Sequence, residues 1–193
     1  MKNFLFLLMA VPVITFAAEE GPHLDKAPVN LSDQASLQRG ARMFVNYCLN
    51  CHSAASMRYS RMEDLGLTEE QIKDNLMFAA DKPGETMTVG MDKKDAKGWF
   101  GSAPPDLSVI ARARGSDWLY TYLRSFYRDP SRPTGWNNVV FPKVAMPHVL
   151  WSLQGEMAPV MKKEGEHEVI ERLELVKPGS VTLAEYDAMV GDL

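Results

Sequence analysis

Five consecutive residues, Cys48-Leu49-Asn50-Cys51-His52, hold the densest chemistry in the chain. Two thiols three positions apart with a histidine directly after them match the attachment site of a c-type haem. The thiols add across the two vinyl groups of a porphyrin, so their spacing must fit the separation of those vinyls. The imidazole then lies under the iron as its proximal ligand. The 193-residue chain has no other cysteine, which excludes a four-thiolate zinc or iron–sulfur site. A thioredoxin-type dithiol shares the spacing but belongs beside a βαβ pattern, which is not visible here. A small structural disulfide is the remaining alternative.

A proximal histidine leaves one axial position undecided, and its occupant decides the chemistry. A thioether saturates the iron and suits electron transfer, whereas an open position suits a haem enzyme such as a peroxidase. Ten of the twelve methionines lie beyond the first 18 residues. Met43, Met77 and Met189 fall on helical faces and read as core filler. Met146 sits in Phe141-Pro142-Lys143-Val144-Ala145-Met146-Pro147-His148, a loop stiffened by flanking prolines, as a segment crossing a haem face should be. Met87, Met91 and His148 are the other candidates, and His148 has the alternative of a hydrogen-bonding residue.

The elements that must position these groups are mostly helical. Ser32 can cap a helix with Leu37, Ala41, Phe44 and Val45 at helical spacing, running straight into Cys48. Thr68 and Gln71 form a capping box for a second helix that buries Ile72, Leu76 and Met77. Residues 81–103 read as a long connection. Pro104-Pro105-Asp106 then opens a helix carrying Leu107, Ile110 and Ala111. Another starts at Ser116, with Trp118, Leu119, Tyr122, Leu123 and Phe126, and stops before Pro130. Residues 130–147 carry four prolines and no helical period, so they read as a loop. Residues 167–176 pair as a short β-hairpin, and a capping box at Thr182 and Glu185 starts a last helix through Tyr186, Met189 and Val190. The class is all-α, with long loops around one covalent haem and a short hairpin near the C-terminus.

The context is export. Lys2, an apolar run from Phe4 to Ile14 and small residues at Ala17-Ala18 make residues 1–18 a secretory signal peptide. The apolar run falls short of the ~20 residues of a membrane span. One domain of 175 residues follows, residues 19–193, with an extended arm over residues 19–31. Removing Lys2 takes the formal charge from −4 to −5. That argues against nucleic acid and suits a basic protein partner, although solubility alone explains so small a charge. Glu164, Glu166, Glu168, Glu171 and Glu174 could dock such a partner or form a solvated face.

Several segments together, QRGARMFVNYCLNCHS with MRYSRM, GWFGSAPPDLSVIARARG, DWLYTYLRSFYRDPSRPTGWNN and FPKVAMPHVLW, closely resemble the bacterial cytochrome c1 family. The resemblance runs from about Pro22 to Leu193. It implies a c-type cytochrome domain in which Cys48 and Cys51 carry haem c as thioethers, His52 is the proximal ligand and Met146 the axial methionine. It further implies that Pro104 and Pro105 are the proline pair beside the haem and that Arg114 pairs with a haem propionate. A guanidinium forking onto a partly buried carboxylate agrees with that chemistry; a solvated helix end is preferred for Arg112. The implied function is electron transfer within the cytochrome bc1 complex, with cytochrome b and the Rieske iron–sulfur protein as partners. A soluble c-type cytochrome would be the acceptor, on the periplasmic side of the bacterial inner membrane. The chain itself would be a non-catalytic subunit of an oxidoreductase. A free periplasmic shuttle and a haem peroxidase are the alternatives. The family continues into a C-terminal transmembrane anchor, so loss of that anchor by truncation is expected.

Overall fold

The computed structural model describes residues 21–193; the predicted signal peptide, residues 1–18, lies outside the described residues. The first helix, α1 (Gln34–Met43), starts one residue later than Ser32 would have it: the Asp33 carboxylate accepts from the Ser36 amide at 3.0 Å and is the cap. It continues into a π-helical turn, Phe44–Cys48, as the apolar pattern predicts, so Cys48 ends the first helical segment. The widened turn is closed by the Leu49 amide on the Phe44 carbonyl at 3.0 Å. Such bulges recur at functional sites because they re-aim side chains within a helix.

β1 (Ala54–Arg58) and a 3₁₀ segment, Tyr59–Leu65, lead to α2 (Glu69–Asn75), where Thr68 and Gln71 form the predicted capping box. The long connection contains two elements that periodicity did not reveal: β2 (Thr86–Met87), paired antiparallel with β1, and α3 (Lys93–Phe100), capped by Asp92. The helix after the proline pair is short: α4 spans Ile110–Arg114, and α5 (Ser116–Arg124) follows it. β3 (Phe126–Arg128) pairs with β4 (Trp136–Asn138), a strand inside the expected loop. α6 (Trp151–Gln154) precedes β5 (Gly155–Glu164) and β6 (His167–Pro178), and α7 (Leu183–Asp192) is capped by the Thr182–Glu185 box as read from the sequence.

The all-α expectation is therefore corrected to a mixed helical domain with three separate two-stranded antiparallel sheets. The hairpin is also longer than foreseen, because residues 167–176 pair with the whole of β5 rather than with themselves. Pro159 obscures β5 in the sequence, yet in a two-stranded ribbon every strand is an edge and a proline costs no inner ladder bond. Gly165, at φ 64°, supplies the left-handed residue of the tight turn between the strands.

Buried apolar side chains form three clusters. The first gathers Val45, Leu49, Ala54, Tyr59, Met62, Ile72, Leu76 and Met87 around the thiol segment. The second holds Tyr122, Phe126, Trp136, Val140 and Val144, with Met146 packed against it. The third, Met43, Leu150, Tyr186 and Val190, joins α1 to α6 and α7. α1 meets α7 at Gly40, where a Cβ would run into the Asp192 carbonyl. Arg39 forks onto the Asp192 carboxylate at 2.6 and 2.8 Å, and the Ser36 hydroxyl donates to it at 2.6 Å. The Arg39 hydrogen bond is the main cause that holds this carboxyl below its ordinary range. The N-terminal arm is pinned to α5 by the Asp25 amide on Thr121 Oγ1 at 2.8 Å and the Ala27 amide on Asp117 at 2.9 Å. Arg124 ties Asp25 (2.7 Å) to Asp187 (2.6 Å) across arm, α5 and α7.

Two outcomes follow from this packing. Gly40→Ala should cost about 2 kcal/mol as an overpacked contact, read as a fall of roughly 4–8 °C in Tm of the haem-loaded protein. The thiol cluster and the Met146 cluster share no buried residue, and the haem predicted from the sequence would add apolar surface to the core. Cys48→Ala/Cys51→Ala protein made without haem should then lose cooperative melting by circular dichroism; native helicity with a sharp transition would contradict this.

Candidate functional site

His52 follows the turn that carries both thiols, with its amide on the Cys48 carbonyl at 2.9 Å. Its Nδ1 lies 2.7 Å from the Pro105 carbonyl oxygen. A carbonyl can only accept, so Nδ1 carries the proton and Nε2 keeps its lone pair free for a metal. Metal-binding histidines are oriented in this manner, by giving the other ring N–H to an acceptor.

The proline segment is built as a support for that bond. Residues 104–107 are irregular and lie beside residues 52–56 instead of opening a helix, which corrects the reading of Pro104-Pro105-Asp106. The Leu107 amide donates to the Ser53 carbonyl at 2.8 Å. Asp106 accepts from the Ala55 amide at 2.8 Å and from the Ser108 amide at 2.8 Å, and the Ser56 amide donates to Ser108 Oγ at 2.9 Å. These bonds, with the Ser108 side chain first, hold the Asp106 carboxyl below its ordinary value. Pro104 and Pro105 have no amide to give away and fixed φ, so the Pro105 carbonyl is presented rigidly. Asp106 is a functional support that sequence reading missed; its position two residues before Ser108 in an Asx-type turn was the available signal.

Both thiols are half-buried and unpaired. Burial first, then the neighbouring Cys51, pushes the Cys48 thiol up to about 11, and burial also raises Cys51. Thioredoxin-type dithiols have lowered values, the opposite direction to this pair.

Met146 is half-buried against the second cluster, and its Sδ accepts a hydrogen bond from the Tyr122 hydroxyl at 3.3 Å. Burial pushes the Tyr122 phenol above its ordinary value. The loop before Met146 is held by two buried asparagines. Asn138, fully buried, donates to the Tyr122 carbonyl at 2.8 Å and accepts from the Val140 and Phe141 amides at 2.9 and 3.0 Å. Asn137 accepts from the Lys143 amide at 2.8 Å, at the one described non-glycine residue of positive φ, 62°. Arg132 donates to the Lys143 carbonyl at 3.0 Å. Neither asparagine was singled out by sequence reading, since a polar residue in a proline-rich loop ordinarily faces solvent.

The other candidate residues are placed as follows. Met87 is fully buried in the first cluster on β2. His148, 2% exposed, stacks on Phe126 at 4.9 Å with Trp136 edge-on at 5.1 Å. Burial lowers its pKa to about 4, so it is a neutral core ring. Met91 is half-buried in the loop before α3. Arg114, exposed at the end of α4, lies over the Trp118 ring at 5.0 Å. Trp118 in turn stacks on Tyr122 at 4.8 Å. The structure thus brings His52 to Pro105, and Arg114 by way of Trp118 and Tyr122 to Met146. The donor set, an imidazole whose Nδ1 is committed to a carbonyl, two unpaired thiols and a thioether with one unshared lone pair left, fits a covalently attached haem. Among the described residues no carboxylate or histidine cluster offers an alternative metal site.

Comparison with known proteins agrees with this chemistry. The model of the cytochrome C1 family matches residues 25–165. A protein of Nitrosomonas europaea named ammonia monooxygenase gamma subunit is 49% identical over 196 residues, covering all of this chain and 81% of that protein. Cytochrome c1 of Allochromatium vinosum is also 49% identical, over 97% of this chain and 78% of its own length. Cytochrome c1 of Rhodospirillum rubrum is 32% identical over 54% of this chain and 46% of its own.

The asparagine framework makes a prediction. Asn138→Ala removes three short hydrogen bonds and leaves buried amides unpaired, which should cost about 3 kcal/mol. Chemical denaturation of the haem-loaded protein should show the loss as a lower midpoint with an unchanged slope.

Proposed function

Because the chain belongs to the cytochrome c1 family, we propose that Cys48, Cys51, His52 and Met146 hold the one covalent haem c that this family carries. The protein is the haem-bearing electron-transfer subunit of a cytochrome bc1 complex. The haem, when bound, supplies a one-electron iron couple. The remaining work falls to the polypeptide. Cys48 and Cys51 would hold the haem through thioether bonds, each S–H adding across a vinyl double bond, so that the cofactor could not leave. His52 offers Nε2, with its tautomer and ring plane fixed by the Pro105 carbonyl. Met146 would offer a soft thioether to the iron, which would favour the ferrous state and keep exogenous ligands away.

Pro104 and Pro105 keep the histidine's acceptor rigid. Arg114, with no carboxylate partner among the described ion pairs, is free to fork onto a propionate while its plane rests on Trp118. Residues 1–18 act as the export signal and 19–193 as the haem domain, on the periplasmic side of the inner membrane. Among the described residues no helix is long and apolar enough to cross a membrane, so contact with cytochrome b is the membrane association we assign to them. The Rieske protein is the electron donor and a soluble c-type cytochrome the acceptor. The observation that carries the reading is the 2.7 Å contact between His52 Nδ1 and the Pro105 carbonyl, within a Cys-x-x-Cys-His segment.

The test is spectroscopic. Protein exported with the haem-maturation machinery should show a sulfur-to-iron charge-transfer band in the ferric state, which Met146→Leu abolishes together with a sharp drop in potential. Reduced wild-type protein should barely bind carbon monoxide, while the variant binds it rapidly. Rapid binding by the wild type would instead point to a haem enzyme with an open distal site.

A further inference from the structure

We infer that Tyr122 is a positioning residue for Met146, fixing which sulfur lone pair meets the iron and raising the reduction potential through its hydrogen bond. The inference rests on Met146 being the axial ligand, as proposed above. A thioether sulfur has two lone pairs and accepts weakly. The Tyr122 hydroxyl, 3.3 Å away, occupies one of them, so a single lone pair of defined hand remains.

The tyrosine ring has little freedom to turn away. Trp118 lies flat on it at 4.8 Å with 10° between planes, and Phe126 meets it edge-on at 5.1 Å. The residue is 9% exposed, and the Asn138 amide holds the Tyr122 carbonyl at 2.8 Å. No other partner of this hydroxyl is present among the described residues. Its bond therefore serves the methionine alone, at a buried site where such a contact is little screened by water.

The electronic consequence has a definite sign. A hydrogen bond draws density from the sulfur and weakens its donation, and the ferric state depends on that donation more than the ferrous state does. Potentials of metal–sulfur sites are tuned in this way. Removing the hydroxyl should therefore favour ferric iron. An ordinary net hydrogen bond corresponds to about a fivefold change in the reduction equilibrium, which for a one-electron couple is a fall of ~40 mV.

Tyr122→Phe in the full haem-loaded protein is the test, with Tyr127→Phe as a control that removes a phenol hydroxyl elsewhere and leaves the Tyr122–Met146 bond in place. The expected result is a lower potential for Tyr122→Phe, with its sulfur-to-iron band retained but shifted, and near wild-type values for both readouts in the control. A wild-type potential and an unmoved band in Tyr122→Phe would overturn the inference while leaving Met146 as ligand. A wild type without the band would remove the ligand assignment and this inference together. Should Tyr122→Phe fail to mature, proton NMR of the reduced wild type decides. A slowly exchanging Tyr122 hydroxyl with a nuclear Overhauser contact to the Met146 methyl supports the bond, and its absence rules the bond out.

Discussion

The hydrogen bond from His52 to the Pro105 carbonyl is the constraint around which the rest of the domain is arranged. An imidazole can serve a metal through either nitrogen, and only a fixed acceptor on one side commits it to the other. Supplying that acceptor from a proline carbonyl 53 residues away obliges two distant segments to run side by side. Asp106, Ser108 and Ser53 provide the bonds that keep them there. The π-helical turn before Cys48 and the extended run after His52 follow from the same demand, since both thiols and the imidazole must emerge on one side of the chain.

Met146 is positioned by a different strategy. Met146 lies on no helix, and its loop is ordered by side-chain amides acting as surrogate backbone. Asn137 and Asn138 accept from the amides of residues that no strand or helix pairs. Buried polar groups satisfied in this way are rigid and intolerant of substitution. Their cost is offset by the aromatic packing of Trp118, Tyr122, Phe126 and Trp136, into which His148 fits as a neutral ring.

Much of this was legible beforehand, and the reasons for the remainder are physical. The thiol–histidine segment, the two capping boxes and the helix ending at Cys48 are local patterns in which residue type decides geometry directly. Met146 was distinguishable by its proline flanks and then by resemblance. Apart from β6, foreseen as part of a hairpin, the strands were not legible. β2, β3 and β4 have two or three residues each, too few to show alternation, and β5 contains Pro159. α3 was hidden by a glycine inside it, a tryptophan and three lysines, although Asp92 was a visible cap. The Pro-Pro-Asp segment was misread as a helix start because its signature is equally that of a turn. Asp106 and the asparagines escaped because their partners are remote, and remote partners leave no periodicity.

The contact of α1 with α7 carries a consequence for how the chain closes. Arg124 grips both the entering arm and the departing helix, while Asp192 is held by Arg39 and Ser36 near the other end of the sequence. The beginning and end of the described chain are thus fastened to each other, with the cofactor-bearing turn inside the ring so formed. Contacts that join residues so far apart in sequence form only after a long loop has closed, so this arrangement makes for slow assembly.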